Sequence, residues 1–354
     1  MTISLTTDNQ TISRVEALAA KMLNQPSIRA QRLGKGANSR VFMLENQANV
    51  GKYVGKFYFR HPMDSRDRLQ TEFSSFSFLR MQGFSDVPRP IAANHQDSCA
   101  IYEFVEGHKI LSEELTIQDI AQAVDFLRRL KDLNTTARSY HFVDASDACF
   151  SINAIIASIE GRLGRFVKIE EGSELRSFLE NDFRPLLVVL NDWARQYCRQ
   201  NGISFENEIS MGEKTLSPSD FGFHNALRNP KGRIVFLDFE YFGWDDPAKT
   251  VVDLLWHPAI ALTEPLKKEF VRQMLGVFSE NKQLAKRVAL VYPLFGMKWC
   301  TIVLNEFVAN DFSRRVYAAG DSLDREQICA EQLRKAKQLF RKIKETYVEF
   351  PYHG

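Results

Sequence analysis

The stretch Leu216–Asp246 constrains the fold most, because it combines turn chemistry, a short apolar strand and a group of oxygen-bearing side chains in thirty-one residues. Asn229-Pro230-Lys231-Gly232 reads as a turn, with Pro pre-set for the second position and Gly tolerant of the exit dihedral. Apolar residues on either side make this a β-hairpin. Pairing Asn229 with Gly232 puts Arg228 opposite Arg233 and Asn225 opposite Phe236. Period-2 alternation then predicts that Asn225 shares a sheet face with Phe236, Asp238 and Glu240. Asn225 and Asp238 become diagonal cross-strand neighbours, about 7–8 Å apart at the backbone. An amide oxygen and two carboxylates are the hard donors that magnesium takes, usually alongside water and nucleotide phosphates.

Taken singly, Asp and Asn are common in turns and caps, and an Asp-x-Glu on a strand commonly marks its wet face. The order of these residues carries more information. Asp220, Asn225 five residues on, a hairpin, and Asp238 after the apolar run Ile234–Leu237 follow the catalytic-loop Asp and Asn and the metal-binding Asp of kinase-like phosphotransferases. In this stretch the chain resembles the aminoglycoside phosphotransferase and choline kinase superfamily, the protein-kinase-like small-molecule phosphotransferases. The resemblance extends from about Ile28 onward. It implies an α+β, two-lobed protein-kinase-like fold, with a β-rich nucleotide-binding lobe over residues 1–102 and a mainly helical catalytic and substrate-binding lobe over 103–354.

Composition frames that expectation. A chain of 354 residues, 44% apolar and a quarter charged, suffices for two lobes with their own cores. A formal net charge of +2 lacks the strong basic field of a nucleic-acid binder. Five scattered cysteines with no Cys-x-x-Cys pair suit reduced thiols in a cytoplasmic protein. The polar N-terminus lacks the order of a secretion signal, and no apolar run is expected to reach membrane-spanning length.

From the N-terminus, Thr11–Asn24 has helical spacing, and Arg32–Phe42 reads as a strand, a glycine-bearing turn and a returning strand. Gly34-x-Gly36-x-x-Ser39 is similar to a nucleotide-covering loop, in which missing side chains let backbone N–H groups approach phosphate oxygens; an ordinary hairpin turn explains the same residues. Lys56, on the strand Tyr53–Tyr58, resembles the kinase lysine that contacts the α- and β-phosphates. The resemblance pairs it with Glu72 on a helix spanning Arg66–Leu79, although Glu72 also lies one helical turn from Arg68. Val87-Pro88-Arg89-Pro90 precedes two strands, and the resemblance places the adenine edge against the backbone at Glu103 and Val105. Beyond Gly107 the pattern turns helical: Leu115–Leu133, Ile152–Phe166, Ser173–Gln200 with Pro185 interrupting it, Pro265–Phe278, Ala285–Val308 and Arg325–Tyr347.

The implied roles follow. Asp220 is the catalytic base for a substrate hydroxyl; Asn225 and Asp238 hold magnesium; Glu240 touches a second metal through water or orients Asn225. The donor is ATP or GTP, and the acceptor is a small molecule such as a sugar, an aminoglycoside-like compound or an envelope-glycan precursor. The chain departs from the pattern at Pro218, where these proteins usually carry a His two residues before the catalytic Asp. His224 is a candidate to support the loop instead, and Asp253 is a possible structural equivalent of a later supporting Asp. That departure motivates the alternative of a catalytically weak or inactive nucleotide-binding scaffold.

Overall fold

The computed structural model describes residues 3–34, 39–46, 51–61, 64–167, 173–259, 261–319 and 323–352. They divide into two compact units, each assembled from separated stretches of chain. The first unit opens with α1 (Ile3–Leu23), β1 (Ile28–Arg32), β2 (Ser39–Asn46), β3 (Lys52–Tyr58), α2 (Arg68–Met81), β4 (Pro90–Asn94) and β5 (Cys99–Glu103). The two-residue strand β6 (His108–Lys109) spans the boundary, His108 closing this stretch and Lys109 opening the second unit. The second unit continues with α3 (Ile117–Asp132), α4 (Asn134–Ala137), α5 (Ile152–Gly164), α6 (Glu174–Phe178), α7 (Arg184–Asn201) and β7 (Thr215–Ser217). The chain returns to the first unit for β8 (Ala226–Arg228) and β9 (Ile234–Phe236). It then adds β10 (Gly243–Asp245), α8 (Pro247–Trp256), α9 (Glu264–Val277) and α10 (Leu284–Val303) to the second. Finally α11 (Ala309–Ala319) belongs to the first unit, and α12 (Arg325–Thr346), apart from Arg325, to the second.

The first unit is built on a five-stranded antiparallel sheet in the order β1-β2-β3-β5-β4. Val15 and Ala19 of α1 pack on Ile28, Phe42, Leu44 and Ile101, which explains the helical spacing of apolar residues before β1. Helix α2 is capped by Asp67, whose carboxylate accepts the Gln70 N–H. Its inward face carries Leu69, Glu72, Phe76 and Leu79. Glu72 rather than Phe73 therefore takes the buried position one turn after Leu69. Helix α11 was not foreseen from the sequence: Arg32 and Arg40 donate to the carbonyls of Ala318 and Tyr317, and the Arg40 guanidinium lies 4.3 Å above the Tyr317 ring.

In the second unit, Thr116 and Asp119 cap α3 reciprocally. The helix expected over Ser173–Gln200 runs as α6, a π-helical turn at Leu179–Phe183 and α7, and the wide turn comes just before Pro185, which has no N–H to give to the preceding turn. Helix α10 corrects the expectation that no apolar run reaches membrane-spanning length. The segment Leu284–Phe307 is long and apolar enough by composition, but 83% of its apolar 18-residue window is buried inside the protein. It also carries charge inward: Arg287 pairs with Asp246 at 2.6 Å, and Lys298 donates to the Asp147 carbonyl at 2.7 Å.

Candidate active site

The hairpin that organised the sequence reading forms, with a different register. Asn229 O accepts from Gly232 N–H, Asn229 N–H donates to Arg233 O, and Gly232 adopts φ +75°. Asn229 thus pairs with Arg233 and leaves Gly232 as an extra left-handed residue in the loop, the three-residue arrangement with a glycine bulge. The strands pair Ala226 with Phe236, Leu227 with Val235 and Arg228 with Ile234. This corrects the expected pairing of Asn225 with Phe236, and a one-residue slip changes which side chains share a face. Asn225 lies outside the strand, in a 3-10 turn at Phe223–Asn225, and Glu240 lies in a turn beyond β9 rather than on its face.

In the first unit the hairpin end delivers Asp238 and Glu240 to Lys56. Lys56 Nζ lies 2.5 Å from Glu72 Oε2, 2.5 Å from Asp238 Oδ1 and 3.5 Å from Glu240 Oε2. The pairing of Lys56 with Glu72 is therefore the one realised, while Arg68 turns to Asp64 at 2.6 Å and to Glu240 at 3.6 Å. Tyr58 donates its hydroxyl to Glu72 Oε2, and the Phe239 N–H donates to Oε1. Burial works against the Lys56 charge, but the three carboxylates outweigh it and hold its pKa well above the ordinary value. Burial is the main cause that pushes Glu72 up to about 7, with Lys56 opposing. Asp238 is the outward member: its side chain is 37% exposed, against 3% for Glu72 and 1% for Glu240. Its φ of +66° is a left-handed conformation that only Asn, Asp and Gly adopt at modest cost, and it aims the carboxylate differently from a regular strand residue.

Other nucleotide-site expectations also fall in this unit. Gly34 has φ +63° with nothing within 4 Å of an added Cβ, and Ser39 is buried at the start of β2. Gly36 lies outside the described residues. Glu103 closes β5, with its carboxylate accepting the Arg89 N–H, and Val105 follows in the connection to β6.

In the second unit Asp220 follows Ser219, whose φ is also +66°, so the backbone turns sharply ahead of the carboxylate. Asn225 Nδ2 donates to the Asp220 carbonyl at 3.0 Å and approaches Oδ2 at 3.3 Å. His224 Nε2 lies 3.2 Å from Asp220 Oδ1. The sequence reading missed a second histidine, His257 at the end of α8, whose Nε2 also lies 3.2 Å from Oδ1. Burial disfavours the Asp220 anion, but bonds from His224 and His257 overcome this and hold its pKa well below the usual carboxylate range. Gly222 makes the arrangement possible, since a Cβ there would meet His224 Nδ1 at 2.8 Å. The sequence reading also missed Lys249, buried in α8 and bonded to Asp245, Asp253 and the Ser219 hydroxyl at 2.8, 2.8 and 3.1 Å. Its only sequence signal is the i, i+4 spacing of Asp245, Lys249 and Asp253.

The donor set suits magnesium. Asp238 offers a part-exposed carboxylate among oxygens of Glu72 and Glu240 that lie within 4.8 Å of one another. In the second unit Asn225 commits its Nδ2 to Asp220.

A family model described as the phosphotransferase enzyme family matches residues 29–151. No curated protein sequence matches the chain. Among solved structures, a spectinomycin phosphotransferase bound to ADP and spectinomycin is 11% identical with a TM-score of 0.64, covering 95% of this chain and 98% of its own. The choline kinase of Cryptosporidium parvum is 14% identical with a TM-score of 0.57, covering 95% and 99%. The choline kinase LicA of Streptococcus pneumoniae is 12% identical with a TM-score of 0.58, also covering 95% and 99%. The family model covers about a third of the chain, and the solved structures share its two-lobed protein-kinase-like fold.

Proposed function

We propose that this protein transfers the γ-phosphoryl group of ATP, with GTP as the alternative donor, to a hydroxyl of a small molecule. The observation that carries the reading is the Lys56 ammonium held between Glu72 and the outward-facing Asp238. In this reading Lys56 binds the α- and β-phosphates, and Glu72 keeps its ammonium aimed. Gly34, Gly36 and Ser39 belong to the loop over the phosphates, and the backbone at Glu103 and Val105 meets the base. Asp238 and Asn225 hold magnesium, which when bound supplies charge neutralisation at phosphate oxygens. Glu240 supports Lys56 and Arg68 from its buried position.

Asp220 accepts a hydrogen bond from the acceptor hydroxyl, aligns its oxygen and takes its proton late. The acceptor oxygen–phosphorus bond forms as the bond from the γ-phosphorus to the β–γ bridging oxygen breaks, and the nucleoside diphosphate leaves. Proteins of similar fold act, by their names, on spectinomycin, choline and ethanolamine. The acceptor proposed here is the class such compounds share, a hydroxylated small molecule, with sugars, aminoglycoside-like compounds and envelope-glycan precursors as the first to screen. A cytoplasmic location accords with five free thiols among the described residues.

The test is nucleoside diphosphate formation over a panel of hydroxylated acceptors, with nucleotide affinity measured in parallel by calorimetry. Asp220→Ala is expected to lower turnover by about 10²–10⁴-fold, with nucleotide affinity retained. Full turnover in Asp220→Ala would remove the assigned base. Nucleotide binding without turnover on any acceptor in the wild type would favour the scaffold reading that Pro218 motivates.

A further inference from the structure

Asp220 Oδ1 receives two imidazoles at once, each at 3.2 Å through Nε2. The two rings stack, with centroids 3.7 Å apart and planes 12° from parallel. Both Nε2 atoms stand at hydrogen-bond distance from the same carboxylate oxygen, which suits two N–H donors sharing one acceptor.

The other nitrogen of each ring decides where its proton sits. His257 Nδ1 accepts the Ala259 N–H at 3.2 Å, so it carries a lone pair and the ring proton is on Nε2. His224 Nδ1 is buried without a hydrogen-bond partner. An unpartnered N–H there would leave a buried donor unmet, whereas a lone pair beside Gly222 costs less, so this ring too places its proton on Nε2. Both histidines are then neutral Nε2–H tautomers. They stack without charge repulsion, and both donate to the same oxygen.

What holds His257 in place runs back to the catalytic loop. Trp299 packs edge-on against the His257 ring at 4.7 Å and 77° and donates its Nε1–H to Asp253 at 2.9 Å. Asp253 pairs with Lys249, and Lys249 reaches the hydroxyl of Ser219, the residue before Asp220. The contacts close a ring: Asp220, His257, Trp299, Asp253, Lys249 and Ser219. Two of these links come from α8, which enters the ring at both Lys249 and Asp253 and then ends at His257.

We propose that His257, stacked on His224, is a positioning residue for Asp220: the two Nε2–H groups occupy Oδ1 and present Oδ2 to the acceptor hydroxyl. This rests on the reading of Asp220 as the base. In this chain, which has Pro218 two residues before Asp220, the loop is anchored by a residue thirty-seven positions downstream.

The first test is independent of turnover: long-range ¹H–¹⁵N spectra of the ¹⁵N-histidine-labelled full chain, assigned with His224→Gln and His257→Gln. Both rings should show the Nε2–H tautomer, and Asp220→Asn should move both Nε2–H resonances. An Nδ1–H tautomer at His257, or a His257 resonance untouched by Asp220→Asn, overturns the clamp. The second test is nucleoside diphosphate release from magnesium-ATP with water as the acceptor, in chains shown to be folded by circular dichroism. His257→Ala should lower kcat about tenfold with the KM for ATP unchanged, and His257→Gln, whose amide N–H reaches the place of Nε2, should restore most of it. Equal rates for wild type, His257→Ala and His257→Gln, alongside an inactive Asp220→Ala, overturn the positioning role while keeping Asp220 as base. An active Asp220→Ala with the predicted spectra overturns the base assignment and the positioning role that rests on it.

Discussion

Lys56 carries a structural load beside its proposed role in nucleotide binding. Its ammonium is almost wholly buried and faces three carboxylates. Replacing it by methionine keeps the volume but leaves Glu72 and Glu240 buried without that partner. Breaking a buried pair from one side costs about 3–5 kcal/mol, so Lys56→Met should lower the urea midpoint by that much stability with an unchanged slope. The double variant Lys56→Met/Glu72→Leu should recover part of the loss, because the stranded charge is gone as well. A second residue-scale expectation concerns Asp245, fully enclosed with Lys249. Burial is the main cause that raises its pKa from 3.8 to about 6, with Lys249 opposing. Between those two values the folded chain keeps a proton that the unfolded chain has released. The unfolded state binds fewer protons there, so stability falls as pH rises from about 4 to about 6 and levels off above. Melting temperatures across that range should show this descent in the wild type and lack it in Asp245→Asn.

Elements place these residues through backbone details that composition does not display. Gly243 in β10 is the sharpest case: a Cβ there would meet Val143 O at 2.4 Å and Ala145 N at 2.6 Å. Backbone atoms cannot rotate away as a side chain can, so Gly243→Ala should destabilise the second unit by about 1–3 kcal/mol, read from denaturant titration. A loss below a few tenths of a kcal/mol would show that the 143–145 segment yields easily. The β8–β9 hairpin teaches the same point about register. Asn-Pro-Lys-Gly announces a turn, yet whether Gly232 pairs or bulges depends on the twist the flanking strands require. The bulge moves the pairing by one residue, and with it the place where β9 stops and Asp238 begins.

At the scale of the whole molecule, the nucleotide reading makes one prediction that needs no acceptor. Magnesium-ATP at about 100 times its dissociation constant should stabilise the chain by about 2.7 kcal/mol, seen as a raised melting temperature. Chelation of magnesium and Asp238→Ala should each shrink the shift. A wild-type chain that melts at the same temperature with and without magnesium-ATP and magnesium-GTP lacks the proposed site. Neither compact unit is one continuous run of sequence. The first collects residues 1–108, 226–240 and 309–325, which brings Asp238 to Lys56 and α11 to β2 from far along the chain.

What the sequence determined by itself was local. Helical and strand periodicities, the turn at Asn229–Gly232 and the spacing of Asp220, Asn225 and Asp238 depend on residues within a few turns of one another, where steric preference and backbone hydrogen bonding act directly. Tertiary structure alone decided the rest. It chose Lys56 over Arg68 for Glu72, moved Glu240 from a strand face to a buried turn, attached α11 to the sheet and set His257 beside His224 on one oxygen of Asp220. Each of those outcomes depends on which distant segments share a desolvated space, where charges must find partners and apolar faces must be covered. That competition is settled by packing across the whole unit, and no window of neighbouring residues contains it.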